Sequence, residues 1–340
     1  MHITLTDQIK DILCEKGLKE YNIEVSNIIF IRHSENLTYR IYSKEGSYLL
    51  RIHYPLSGIA DKKWIDKKVI NSELLWLKAL NEHIDIKVQL PIYNKSGKLV
   101  TVIKYKSKEI LCSLLTWIEG TVRYESKEYT LAQAENLGSL LAQLHNQSSN
   151  WSIPKGFIRP ISDLNALQED FEKLKKKNTE LKFFDKDSEL KIQRAINKIG
   201  YFFEKDLNQN NWGLIHTDLC ENNYILNGDN VYPIDFSLCS FGSYTFDITV
   251  SLLHIFNNDM WTSFFKGYCT YRPLGNNVKK AIEAYFIAAL IGPWAFHCTN
   301  TKEHKWLNDS ITKCLNDYIP PFLKNQEFIF SKFNIDFDNF

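Results

Sequence analysis

A chain of 340 residues, 44% apolar and 14% aromatic, can bury the core of one large domain or two lobes. Its 41 basic and 40 acidic side chains leave a net charge of +1, so electrostatics give no reason to expect nucleic acid or a membrane surface as partner. The seven cysteines, at 14, 112, 220, 239, 269, 298 and 314, form no CxxC pair and keep no regular spacing, which argues against a disulfide framework or zinc site and favours a reducing compartment. The start, Met1 to Asp7, lacks a basic segment followed by an apolar one, and no run reaches the length of a membrane span; the expected location is the cytoplasm.

The first third reads as strand-rich. Thr6 to Lys16 is an opening helix with Thr6 as cap. Strands are expected at Ile23 to Ile31, Thr38 to Tyr42 and Tyr48 to Ile52, with Lys44 to Ser47 as a turn. Between the first two strands lies a polar loop, Arg32 to Leu37. Ser34 and Asn36 in it are candidates for covering phosphates through backbone N–H groups. An ordinary hairpin loop is the plainer alternative, since no Gly-rich fingerprint is present.

Period two puts Tyr48, Leu50 and Ile52 on one strand face and Leu49, Arg51 and His53 on the other. The next helix, about Asp61 to Asn81, carries a core stripe of Val69, Ile70, Leu74, Leu77 and Leu80. Glu73 falls at its edge or within it. A carboxylate there costs free energy unless paired, and Arg51 is the candidate partner; a surface arginine and a boundary glutamate are the alternatives. Leu99 to Lys104 and Ile110 to Ile118 close the strand-rich part.

Strand signals thin after Thr116-Trp117-Ile118-Glu119-Gly120. The division expected is an N-terminal lobe over 1–116, a hinge over 117–121 and a helical lobe over 122–340. Backbone groups of Thr116, Trp117 and Ile118 are candidates for a nucleobase edge. Helices are expected at Thr130 to His145, Asp163 to Lys177 and Leu190 to Phe203. His145, at the end of the first, is read as a structural residue favoured by the helix dipole. Further helices are expected at Thr245 to Phe256, Asp259 to Phe265, Asn277 to His297 and Lys305 to Tyr318.

The chemistry concentrates between Leu214 and Asp247. The spacing His216-x-Asp218-x4-Asn223, followed by a hairpin at Asn227 to Asn230 and then Asp235-Phe236, reproduces a phosphoryl-transfer pattern. Such transfer needs an aspartate near the acceptor hydroxyl, which Asp218 supplies. It needs hard oxygen ligands for Mg²⁺, which Asn223 and Asp235 supply. His216 braces the loop.

With these residues the chain resembles the aminoglycoside phosphotransferase and choline kinase-like family. Asn36 to Ile41, Tyr48 to Ile52, Leu115 to Gly120 and Leu140 to His145 resemble family segments in the expected order. The resemblance implies an α+β, bilobal, protein-kinase-like fold: an antiparallel sheet lobe with a helix, then a larger helical lobe. It implies transfer of the γ-phosphate of ATP or GTP to a small-molecule hydroxyl. Asp218 would be catalytic with His216, Asn223 and Asp235 would hold Mg²⁺, and Arg51 and Glu73 would serve the nucleotide. Asp247 would brace the loop.

Four departures stand out. Arginine, Arg51, fills the strand position common for lysine; Ser237 follows Asp235-Phe236 where kinases place glycine; and an Ala-Pro-Glu segment and a Gly-rich loop are both missing. The missing segment, with the missing Gly-rich loop, argues against a protein kinase. Trp261, Trp294 and Trp306 are read as core. Asp259, Glu283, Glu303, Asp309 and Asp317 form no dense cluster, so the residues do not single out an aminoglycoside. An antibiotic hydroxyl is one acceptor class, an alcohol such as homoserine or choline another. A catalytically dead nucleotide-binding module is the rival.

Overall fold

The computed structural model describes residues 5–55, 62–255, 257–275 and 277–337; the readings at Met1 to Thr4, Asp61 and Phe256 lie outside them. The fold is α+β, as the sequence predicts, and divides into two compact units. The first comprises Met1–Gly120 with two later returns, Ser152–Arg159 and Ile234–Ser237; the second holds Thr121–Trp151, Pro160–Pro233 and Leu238–Phe340.

In the first unit, helix α1 (Asp7–Leu18) is capped by Thr6, whose side chain accepts from the Ile9 N–H. Strands β1 (Val25–His33), β2 (Leu37–Ser43) and β3 (Gly46–His53) follow, then α2 (Lys67–His83), β4 (Pro91–Ile92), β5 (Thr101–Tyr105) and β6 (Lys108–Thr116). The sheet is antiparallel in the order β1-β2-β3-β6-β4, with β5 also on β6. Period two works as expected. Leu50 and Ile52 join Leu13, Leu37, Tyr39, Ile41, Cys112 and Leu114 in a core closed by α1. Each such side chain contributes roughly 1.5–3 kcal/mol by leaving water. That leaves Arg51 and His53 on the opposite face. One correction concerns Arg32 and His33. They belong to β1, and the loop is only Ser34 to Asn36.

The second unit opens with β7 (Thr121–Val122) and α3 (Leu131–Asn150). A reciprocal cap between Thr130 and Gln133 starts α3. The helix does not end at His145, and runs on to Asn150. Then come β8 (Ile161–Ser162), α4 (Leu164–Leu181), α5 (Lys186–Asn208), β9 (Trp212–Ile215), β10 (Tyr224–Asn227), β11 (Asn230–Pro233) and β12 (Ser240–Ser243). Helices α6 (Tyr244–Leu252), α7 (Asn258–Tyr271), α8 (Val278–His297), α9 (His304–Lys313) and α10 (Ile319–Leu323) complete it, with a π-turn at Cys314–Tyr318. Helices α4, α5 and α7 each extend beyond the spans read from sequence. Gly138 and Gly267 let α3 and α7 cross at backbone distance, for a Cβ on Gly138 would overlap the Phe264 carbonyl oxygen. Among the described residues no helix is long and apolar enough to cross a membrane.

Candidate active site

Two constellations emerge, one in each unit. In the first, Arg51 Nη2 donates to Glu73 Oε1 at 2.6 Å, with 4% and 2% of their side chains exposed. The pair suggested by strand and helix periodicity is therefore present and dry. Removing one partner from such a pair typically costs about 3–5 kcal/mol, because the other charge stays buried. Arg51 Nη1 also lies 3.8 Å from Asp235 Oδ1.

Asp235 sits in the left-handed region at φ 61°, a conformation aspartate tolerates better than most residues. Its Oδ1 accepts from Ser237 Oγ at 2.7 Å, and its Oδ2 accepts from Arg32 Nη2 at 3.2 Å. Neighbouring contacts fix the segment. Phe236 packs edge-on to Trp76, with ring centroids 5.4 Å apart. The buried Arg159 donates to the Val69 carbonyl at 3.1 Å and to the Ser237 carbonyl at 2.7 Å. Sequence reading missed Arg159 and Arg32, whose partners are far away along the chain.

Other candidates in this unit are placed differently. The Ser34 N–H donates to the Asn36 carbonyl at 3.1 Å, and Asn36 is buried. This turn ties up one backbone donor proposed for phosphates. The Thr116 N–H donates to the Leu90 carbonyl and the Trp117 N–H to the Ser47 carbonyl, both at 2.9 Å. Those two hinge donors thus serve the unit's own structure. Ile118 is buried. The Trp117 ring stacks over the Arg40 guanidinium at 4.5 Å, and Arg40 also pairs with Glu119.

In the second unit, β9 delivers His216, Thr217 and Asp218 directly after Leu214-Ile215. His216 is fully buried and its Nδ1 accepts from the Asp218 N–H at 3.3 Å. Asn223 Nδ2 donates twice, to the Asp218 carbonyl at 2.8 Å and to Asp218 Oδ2 at 2.7 Å. One amide therefore fixes both the loop turn and the carboxylate. The hairpin β10–β11 that follows Asn223 pairs Tyr224 with Pro233.

Asp247 holds this loop from behind. Its Oδ2 accepts from the His216 N–H at 2.8 Å and its Oδ1 from the Thr217 N–H at 2.7 Å. Thr217 has φ 72°, which costs a β-branched residue on the order of 1–3 kcal/mol. The two charge-assisted bonds offset that strain. His145 completes the support. Its Nε2 lies 3.2 Å from Asp247 Oδ2 and its Nδ1 2.8 Å from the Tyr268 hydroxyl. Burial lowers the His145 pKa, holding the ring neutral. Because the carboxylate only accepts, Nε2 carries the hydrogen and Tyr268 donates to Nδ1. His145 is structural, but through this relay rather than through a helix end.

On the acceptor side, Trp261 and Trp294 are buried as expected, while Trp306 is 43% exposed and is not core. Glu283 is buried and accepts from the Phe328, Ile329 and Phe330 N–H groups, so it anchors the C-terminal segment. Cys220, inside the loop, has its thiol pushed up to about 12, chiefly by burial and then by Asp218.

The HxD loop with its asparagine, followed after a hairpin by a second aspartate, keeps the sequence spacing of phosphoryl-transfer enzymes. The chain belongs to the phosphotransferase enzyme family, whose model matches residues 28–274. No curated protein matches it in sequence. Solved structures share the fold. A microcompartment-associated aminopropanol kinase is 20% identical at TM-score 0.78, over 94% of this chain and 99% of that one. An amicoumacin kinase, in complex with AMP-PNP, Ca²⁺ and Ami, is 15% identical at TM-score 0.73, over 98% and 97%. A spectinomycin phosphotransferase in complex with ADP and spectinomycin is 14% identical at TM-score 0.62, over 94% and 98%.

Proposed function

We propose that the protein transfers the γ-phosphate of ATP or GTP to a hydroxyl of a small molecule, with Mg²⁺ as cofactor. The observation that carries this reading is the Asn223 clamp on Asp218, on a loop pinned by Asp247. Asp218 orients the acceptor hydroxyl and takes its proton. His216 stays buried and holds the loop, without touching substrate.

The residues fit a hard metal ion. Asn223 spends its N–H groups on Asp218, which leaves its amide oxygen as the ligand atom. Asp235 offers a carboxylate held in place by Ser237. Among the described residues no group of three or more His, Cys, Asp or Glu forms a metal cage. A Mg²⁺ that keeps water and phosphate oxygens needs no such cage. When bound it would neutralise charge on the phosphates. Arg51, braced by Glu73, is the fixed cation of the nucleotide half. Ser34 and Asn36 line the loop end of that half, and Thr116, Trp117 and Ile118 the base end.

Two acceptor classes stand beside each other, an antibiotic and a metabolic alcohol such as homoserine or choline; kinases of the same fold that act on aminopropanol and on antibiotics support both. An acceptor screen that follows nucleotide consumption tests the reading. Turnover with any hydroxyl compound supports it, and nucleotide binding without transfer to any acceptor supports an inactive module. Expression in a sensitive host separates the two classes, since resistance follows only from action on the drug.

A further inference from the structure

We propose that Arg32 is a phosphate-binding residue that changes partner, holding Asp235 before nucleotide binds and the nucleotide's phosphates afterwards. This rests on the reading of Asp235 as a metal ligand in a nucleotide site.

Two arginines converge on Asp235, and their surroundings assign them different tasks. Arg51 is buried and committed to Glu73 at 2.6 Å. It is a fixed charge. Arg32 is 53% exposed, and its guanidinium bonds Asp235 Oδ2 at 3.2 Å. An exposed pair of this kind contributes little and breaks easily. Arg32 is therefore the cation that can move.

Its position gives the movement a destination. Arg32 lies near the end of β1, two residues before Ser34. The loop that follows has no glycine, and its Ser34 N–H is already bonded to Asn36. Backbone donors, the usual phosphate cradle, are thus reduced here. A side-chain fork is a further way to bring donors to the phosphates, and guanidinium geometry matches phosphate oxygens. If Asp235 took a metal ion, its carboxylate would be drawn from Arg32, whose guanidinium would then be released toward the incoming phosphates. The same contact makes Arg32 a competitor of the metal for that carboxylate in the nucleotide-free protein.

The competition gives a signature of two opposite signs. In Arg32→Gln, calorimetry should show Mg·ATP binding about tenfold weaker, with AMP binding within about twofold of wild type. Mn²⁺ alone, followed by its free-ion electron paramagnetic resonance signal, should bind several times more tightly (order of magnitude set by loss of one competing charge). Arg32→Lys should recover part of the ATP affinity. Thermal unfolding checks that both variants keep the fold. Unchanged ATP and Mn²⁺ affinities in Arg32→Gln would reduce Arg32 to a surface ion pair and overturn the proposal. Asp235→Ala separates the two levels. If it leaves Mg-dependent ATP binding intact, the metal reading fails and Arg32 with it. If it abolishes that binding while Arg32→Gln does not weaken it, Arg32 alone fails.

Discussion

Arg51 and Glu73 meet at 2.6 Å with almost no side-chain exposure, and so place a fixed cation beside Asp235. Glu73→Ala leaves that guanidinium buried without the carboxylate that pairs with it at 2.6 Å, and with Asp235 3.8 Å away. The expected loss of unfolding free energy is about 3–5 kcal/mol, read by urea denaturation. A loss under about 1 kcal/mol would mean that Asp235 alone suffices for Arg51.

Asp247→Asn keeps one accepting oxygen, which the His216 N–H and His145 Nε2 both use, and so turns a donor toward the Thr217 N–H. The loop around Asp218 should shift, because Thr217 loses the bond that holds its left-handed backbone. Misplacement on that scale predicts a fall in kcat of about a hundredfold. The KM for nucleotide should change little. A fall confined to KM would contradict a role in positioning Asp218.

How much of this was legible in sequence depended on chain distance. Asp218 and Asn223 are five residues apart, so a local motif points to the chemistry once the apolar pair before it and the hairpin after it are read with it. Arg51 and Glu73 are 22 apart, yet strand and helix periodicity each aimed one of them inward. His145 and Asp247 are 102 apart, and Arg32 and Asp235 are 203 apart. No local pattern encodes those pairs; the fold alone brings them together. The apolar stripe of α3 stops at Leu144, so sequence places His145 at a helix end, whereas the polar residues Asn146 to Asn150 continue the helix. Trp306 was read as core since helical spacing cannot tell which turn of an amphipathic helix is covered.

His53 predicts a pH dependence of stability. Burial, and then the Arg51 charge, lower its pKa from 6.5 to about 3. The folded value lies below the unfolded one, so the unfolded chain binds the extra proton. Stability is full above about pH 6.5 and is lost as pH falls toward 3, at about 1.4 kcal/mol per pH unit. His145 shifts in the same direction. Unfolding free energies of His53→Gln should fall less steeply than wild type over this window, by one proton. Parallel slopes would contradict the assignment.

Glu283 gathers three N–H groups from Phe328 to Phe330 at 2.8, 2.8 and 3.2 Å. Glu283→Ala strands those donors and should cost on the order of 3 kcal/mol. The segment beyond α10 should then be cut earlier in limited proteolysis. An unaltered cleavage pattern would show that the aromatic contacts of Phe330 with Trp261 hold it unaided.

Acceptor-dependent phosphoryl transfer by wild type and Asp218→Asn, measured with nucleotide affinity on the same samples, is the most direct test. Wild type should transfer phosphate to a small-molecule hydroxyl with Mg²⁺ present. Asp218→Asn should lose about 10²–10⁴-fold, with nucleotide affinity unchanged. Undiminished turnover in that variant would contradict it.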